Sequence, residues 1–327
     1  MKEVYISGTG KYLPENIVTN DDLAKIVDTS DEWITTRTGI KERRISSGED
    51  TSLMATYAAK LALENAGISA EELDFIIVAT TTPDNFTPSA ACLVQSNLGA
   101  AKAAAFDINA ACTGFIYALN VATHLLKSGP YKHILVIGAE TLSKIVNWKD
   151  RNTCVLFGDG AGAIVLSASM KKGVGTIILG SDGQKGEVLQ SHALPVINPF
   201  IKTNDLQDKN HYVAMDGREV FKFATGVMVD SIEKLLQREE INISEVKYIV
   251  PHQANFRIID YAAKKLDVDI NKFYVNLDKY GNTSSASIPI ALDELNKKGL
   301  LNKNDNVIMV GFGGGLTFGA ALVKWQK

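Results

Sequence analysis

The sequence predicts a duplicated α/β fold, two halves of alternating strands and helices that divide near residue 170, as 1–170 and 171–327. Three observations carry this reading. Apolar runs at 75–79, 134–137, 163–166, 248–250 and 307–310 lack polar alternation, so each reads as a strand covered by helices on both faces. Landmarks recur. Ala66-Gly-Ile-Ser-Ala-Glu-Glu-Leu-Asp-Phe-Ile-Ile-Val-Ala79 is echoed by Ile241-Asn-Ile-Ser-Glu-Val-Lys-Tyr-Ile-Val-Pro251, and His133-Ile-Leu-Val-Ile-Gly-Ala-Glu140 by Asn306-Val-Ile-Met-Val-Gly-Phe-Gly313. The spacing also recurs, since Thr80 to Cys112 is 32 residues and His252 to Asn282 is 30. Cys112 and Asn282 are therefore expected in matching places, each opening a central helix whose N-terminus points at one shared site.

Along the chain, Thr29-Ser-Asp-Glu-Trp33 has a helix-start pattern and sets Trp33 and Arg37 one turn apart. An indole and a guanidinium at that spacing can cover a flat base, although internal packing of one and solvation of the other is the commoner outcome. In Ala104-Ala-Phe-Asp-Ile-Asn-Ala-Ala-Cys112-Thr-Gly-Phe an apolar run gives way to helical spacing, so Cys112 falls at a strand-to-helix junction. The free N–H groups and positive dipole end there favour a thiolate, whereas a lone buried cysteine is inert.

Ile249-Val-Pro-His252-Gln-Ala-Asn255 sets a histidine just past a β-branched run, and Lys279-Tyr-Gly-Asn282-Thr-Ser-Ser-Ala-Ser sets an asparagine ahead of a helix-like run at 288–295. Cysteine, histidine and asparagine at element termini suit thioester chemistry. The thiolate can carry an acyl group, and imidazole and carboxamide N–H groups can donate to an oxyanion. After His252 comes an amphipathic stretch, with Phe256, Ile259, Ala263 and Leu266 on an apolar face and Arg257, Asp260, Tyr261, Lys264 and Lys265 opposite. Such a face is usually only solvated, but at the mouth of a site it can steer an acidic partner. Residues 198–210, polar and broken by Pro199, read as a surface loop.

Composition narrows the function classes. The 327 residues are 46% hydrophobic and 22% charged with a net charge of −3, as expected of a soluble globular protein. No basic block exceeds Lys41-Glu-Arg-Arg44, which argues against nucleic acid as a partner. No run approaches the roughly 18 apolar residues of a membrane span, and the first residues lack the apolar core of a signal peptide. Three cysteines without metal-like spacing argue against a disulfide framework or a zinc site and for a reducing cytoplasm.

The motifs Asn-Ala-Ala-Cys112-Thr-Gly, His252-Gln-Ala-Asn-Phe-Arg-Ile and Gly-Asn282-Thr-Ser-Ser-Ala-Ser resemble those of β-ketoacyl-acyl-carrier-protein synthase III. Trp33-Ile-Thr-Thr-Arg37-Thr-Gly-Ile, Phe157-Gly-Asp-Gly-Ala-Gly and Gly311-Phe-Gly-Gly-Gly-Leu-Thr-Phe-Gly319 extend the resemblance from Gly8 to Val323. The resemblance implies a thiolase-like, duplicated five-layer αβαβα architecture and a cytoplasmic homodimer that initiates fatty-acid synthesis. Cys112 would take an acyl group from acyl-CoA, a substrate and not a cofactor, and condense it with decarboxylating malonyl-acyl-carrier protein. His252 and Asn282 would donate to the enolate oxygen. The Cys112 and Gly314 backbone N–H groups would form the other oxyanion hole.

The resemblance also implies CoA contacts at Trp33, Arg37 and Arg151, and carrier-protein docking at Lys222, Gln253, Ala254, Asn255, Phe256, Arg257, Lys264 and Lys265. Where many relatives carry phenylalanine before Pro88, this chain has Thr87, with Phe86 displaced by one position. A primer pocket open to propionyl, branched or longer acyl groups is therefore expected. Plant-type polyketide synthases share the Cys-His-Asn set, so a secondary-metabolite synthase is the alternative on chemistry alone.

Overall fold

The computed structural model describes residues 2–196, 198–200 and 211–327; most of the loop expected at 198–210 lies outside them. The first half forms a five-stranded sheet from β1 (Glu3–Tyr12), β2 (Phe75–Ala79), β3 (Ala104–Ile108), β4 (His133–Glu140) and β5 (Gly160–Ser169), in the order β1-β5-β4-β2-β3. The second forms a four-stranded sheet from β6 (Val174–Ser181), β7 (Val246–Pro251), β8 (Asn306–Gly313) and β9 (Thr317–Lys324), in the order β6-β9-β8-β7. The orders and senses correspond. β2 runs parallel to β4 and β3, as β7 does to β8, and the returning strands are antiparallel. The counterpart of β3 is reduced to one parallel bridge, Ile249 with Phe273.

Seven longer helices complete the layers: α1 (Asp31–Thr38), α2 (Thr51–Ala66), α3 (Ala90–Leu98), α4 (Gly114–Ser128), α5 (Gly217–Glu239), α6 (Phe256–Lys265) and α7 (Ser287–Lys297). Helices α4 and α7 lie between the sheets, where Phe115, Leu119, Ile288 and Leu292 share one apolar core with Ile77, Val136, Val250 and Met309. Helices α2 and α3 cover the outer face of the first sheet and α5 and α6 that of the second. The result is the five-layer αβαβα arrangement, and burial of each strand on both faces explains the unbroken apolar runs. The Ser69 and Asn242 turns that precede β2 and β7 each carry a capping box, with Glu72 and Glu245 as the reciprocal partners.

The register of the duplication differs from the one expected. Before α4 stands a single 3₁₀ turn, Ala111–Thr113, and before α7 another, Ser284–Ala286. Each opens on a non-glycine residue in the left-handed region, Ala111 at φ 47° and Ser284 at φ 48°. The counterpart of Cys112 is therefore Ser285, not Asn282, which sits three residues earlier. Apolar spacing locates the helices but not the turn that launches them. Holding two such residues costs on the order of 1 kcal/mol each, and it aims the residues around them at the point where the halves meet. Close approach there also requires glycine: a Cβ on Gly138 of β4 would collide with the Ser285 carbonyl oxygen.

Candidate active site

A cavity of about 360 Å³ brings Cys112, His252 and Asn282 to one end, and Trp33, Arg37, Asn152, Phe221 and Asn255 toward the other. Cys112 is buried two residues ahead of α4. Gly313 lies so near that a Cβ on it would stand 2.7 Å from the Cys112 nitrogen. Burial pushes the thiol up to about 12; the Ser284 hydroxyl opposes this and the Glu140 charge adds to it. Burial therefore opposes the helix-end field that was expected to favour a thiolate.

His252 follows β7 directly and is 1% exposed. Burial lowers its pKa to about 3, so the imidazole is neutral. Its Nδ1 lies 2.7 Å from Ser287 Oγ, and the ring stands edge-to-face with Phe312 at 5.3 Å between centroids. Asn282 is held by its own oxygen: Oδ1 accepts the Ser284 N–H at 2.8 Å. The carboxamide flip is thereby settled, and the two Nδ2 hydrogens are the donors left for the cavity.

Two residues that brace the site carry no sequence signal of their own. Glu140, at the end of β4, is fully buried and accepts from the Thr81 N–H and from the hydroxyls of Thr80, Thr81, Thr82, Ser284 and Ser285 at 2.7–3.1 Å. Burial raises its pKa while these donors pull it down. It thus ties the end of β2 in one half to the turn carrying Asn282 in the other. Arg43, also fully buried, donates to the Val18 and Val155 carbonyls and to Asn20 Oδ1, and Asn20 in turn donates to Asp31 Oδ1 of α1. This joins the helix bearing Trp33 to the segment just after Arg151.

At the other end, Ser30 caps α1 by accepting the Trp33 N–H. The Arg37 guanidinium lies 4.5 Å from the indole ring centre, and Arg151 lies 5.2 Å from it. Arg151 is also bonded to the Asp28 carbonyl at 2.9 Å and its carboxylate at 3.3 Å. Lys222 and Arg257 are exposed, and the Arg257 guanidinium lies 5.9 Å from the ring of Phe221, which lines the cavity. Lys264 pairs with Asp260 at 2.6 Å, and Lys265 is exposed beside Tyr261.

One expected position is corrected, and the others are placed as follows. Gln253 is buried, its amide donating to the Pro251 and Tyr274 carbonyls and accepting from Asn276, so it offers nothing to a docking partner. Asn255 is half-buried; it caps α6 and donates to the Arg37 carbonyl. The buried stripe of α6 is Ile258, Ile259, Ala262 and Ala263, whereas Phe256 is 38% exposed. Ala254 lines the cavity. Gly313 also lines it, while Gly314 sits beside the Leu189 carbonyl and Ala111. Thr87 is exposed and does not line the cavity of its own chain.

Five layers with strand ends converging from both halves define a thiolase-fold protein. The family profile described as "3-Oxoacyl-[acyl-carrier-protein (ACP)] synthase III" matches residues 106–183, and its C-terminal counterpart matches residues 236–325. The β-ketoacyl-[acyl-carrier-protein] synthase III of Clostridium novyi is 59% identical over 328 residues, covering 100% of both chains. The crystal structure of 3-oxoacyl-[acyl-carrier-protein] synthase III from Aquifex aeolicus superposes with a TM-score of 0.92 at 50% identity, over 98% of this chain and 100% of that one. A priming β-ketosynthase from a polyketide biosynthetic pathway superposes with a TM-score of 0.91 at 34% identity, over 99% and 97%. This chain belongs to the β-ketoacyl-acyl-carrier-protein synthase III family.

Proposed function

We infer that the chain is the initiating condensing enzyme of type II fatty-acid synthesis, joining an acyl-CoA primer to malonyl-acyl-carrier protein. The observation that carries the reading is a cavity lined by Cys112, His252 and Asn282 together with Trp33 and Arg37. In the first stage the Cys112 sulfur attacks the acyl-CoA carbonyl, CoA leaves, and the thiol proton departs with the CoA sulfur. The Cys112 and Gly314 N–H groups receive the tetrahedral oxyanion, and the dipole of α4 favours the charge that develops there. Trp33, Arg37 and Arg151 hold the nucleotide end.

In the second stage the malonyl group loses carbon dioxide and its enolate carbon attacks the acyl-Cys112. The products are 3-oxoacyl-acyl-carrier protein and the free cysteine. Asn282 and His252 stabilise the enolate oxygen, each donor contributing about 3 kcal/mol in a dry site. Lys222, Arg257, Lys264 and Lys265 receive the acidic carrier protein, with Phe256 and Ala254 beside them. No cofactor or metal enters this scheme.

We place the protein in the cytoplasm as a homodimer of subunits with halves 1–170 and 171–327. Support for the dimer comes from β3, an outer strand with half-exposed Phe106 and Ile108, and from Phe86, which is 78% exposed. In that dimer Thr87 closes the partner subunit's primer pocket and leaves it wider than phenylalanine would.

The test is intact-protein mass after incubation with a panel of acyl-CoAs, beside Cys112→Ala. Acyl adducts lost in the variant support the reading, and preferential loading of longer or branched groups supports the Thr87 argument. Acetyl loading alone would reject the wider pocket. No adduct from any donor would reject the covalent mechanism.

A further inference from the structure

A buried imidazole that must donate from one nitrogen needs something to settle which nitrogen carries its proton. In His252 the Nδ1 atom has one partner, the Ser287 hydroxyl at 2.7 Å. That hydroxyl has one proton and a second candidate acceptor, the Ser284 carbonyl at 2.8 Å. The backbone N–H of Gln253 approaches its oxygen at 3.4 Å. The Ser284 carbonyl already accepts the Ser287 backbone N–H, so the hydroxyl proton can turn to Nδ1 without leaving that carbonyl unpaired. An imidazole nitrogen is also a stronger acceptor than an amide oxygen. If Nδ1 carried the proton instead, a bare Nε2 lone pair would face the enolate oxygen and repel it.

We propose that Ser287 is a positioning residue for this reaction: its hydroxyl donates to Nδ1 of His252 and holds the imidazole in the neutral tautomer with its proton on Nε2. The hydrogen-bond geometry admits this direction; the need for an Nε2–H donor, which rests on the condensing reaction proposed above, selects it. The Phe312 ring packs against the imidazole, its plane steeply inclined to it.

The hydroxyl is not needed to build the turn. At the matching position in the first half stands Gly114, which opens α4 with the same backbone bond, its N–H to the Ala111 carbonyl. A serine at the start of α7 thus supplies something that the turn alone does not require.

The experiment uses the full-length protein labelled with ¹⁵N-histidine, its His252 signals assigned with His252→Gln. The wild type is expected to show a protonated Nε2 and a bare Nδ1, and Ser287→Ala to move the ring toward the other tautomer. In that variant carbon dioxide release from the malonyl thioester should fall about 10²-fold. Acyl loading of Cys112, read by intact mass, should stay within about twofold, since the imidazole donates only in the second stage. Ser287→Thr retains the hydroxyl and should restore most of the loss. A wild-type spectrum with the proton on Nδ1 would overturn the proposal, as would equal losses in both half-reactions or a loss in neither. Failure of the wild type to load any acyl-CoA would remove the condensing reading, while the ¹⁵N spectrum would still decide the tautomer.

Discussion

Asn109 and Asn282 make the same turn in the two halves of the molecule. Oδ1 of Asn109 accepts the Ala111 N–H at 3.2 Å, and Oδ1 of Asn282 accepts the Ser284 N–H at 2.8 Å. Each turn releases its chain into a left-handed residue, a 3₁₀ turn and then a central helix. Asn109 is exposed, while Asn282 is buried, only 7% exposed, with its amide nitrogen left for the cavity. One local device thus sets the turn of Cys112 in the first half and presents the Asn282 amide in the second.

Asn282→Asp separates these two uses. The carboxylate can still accept the Ser284 N–H but has lost both amide hydrogens. Malonyl decarboxylation is expected to fall 10²- to 10³-fold, about the loss of one oxyanion donor, with the fold and Cys112 loading retained. Comparing carbon dioxide release with acyl-adduct mass checks this. Parallel collapse of both would mean that the asparagine is structural.

Removing the carboxylate in Glu140→Ala leaves five hydroxyls and one N–H without their shared acceptor. A loss of about 3 kcal/mol in unfolding free energy is expected, with a larger fall in activity than Asn109→Ala produces. Urea denaturation beside a decarboxylation assay reads both. An unchanged stability would show that the hydroxyls find other partners.

The His252 pKa of about 3 lies below its ordinary 6.5. Below pH 6.5 the unfolded chain takes up a proton that the native imidazole refuses, so stability falls as pH drops from 6.5 toward 3. The full effect is roughly 5 kcal/mol. The stability of His252→Gln should change less over that window than the wild type's. Superimposable pH–stability curves would contradict the burial argument.

Trp33→Ala should raise the KM for acyl-CoA about tenfold, since stacking on a base is worth about 1–3 kcal/mol. Turnover of an acyl-pantetheine, which has no adenine, should not change. Equal loss on both donors would place the indole's role in packing α1 rather than in binding.

Docking charge gives a similar contrast. Arg257→Glu reverses one exposed charge beside the cavity mouth and should slow use of the malonyl-carrier protein at low salt about tenfold or more. Decarboxylation of malonyl-CoA should be untouched, and a steady-state comparison of the two substrates decides it.

The amino-acid sequence by itself determined strands β2, β4, β5, β7 and β8 and the duplication, though not its register, and it singled out Cys112, His252 and Asn282, because each is a local signal: an apolar run, a repeated landmark, a residue at an element's end. It did not separate the serines of Thr283-Ser-Ser-Ala-Ser287, nor mark Glu140 as anything but the end of a strand. Their roles come from contacts distant in sequence, Ser284 with Glu140 across the junction of the halves and Ser287 with His252 within the second, 144 and 35 residues apart. The same is true of Gln253, whose motif suggested docking but whose amide closes three backbone bonds inside the protein. Periodicity reports which face of an element is apolar. Only packing two sheets and two helices against one another decides which polar groups are left without water and must find each other.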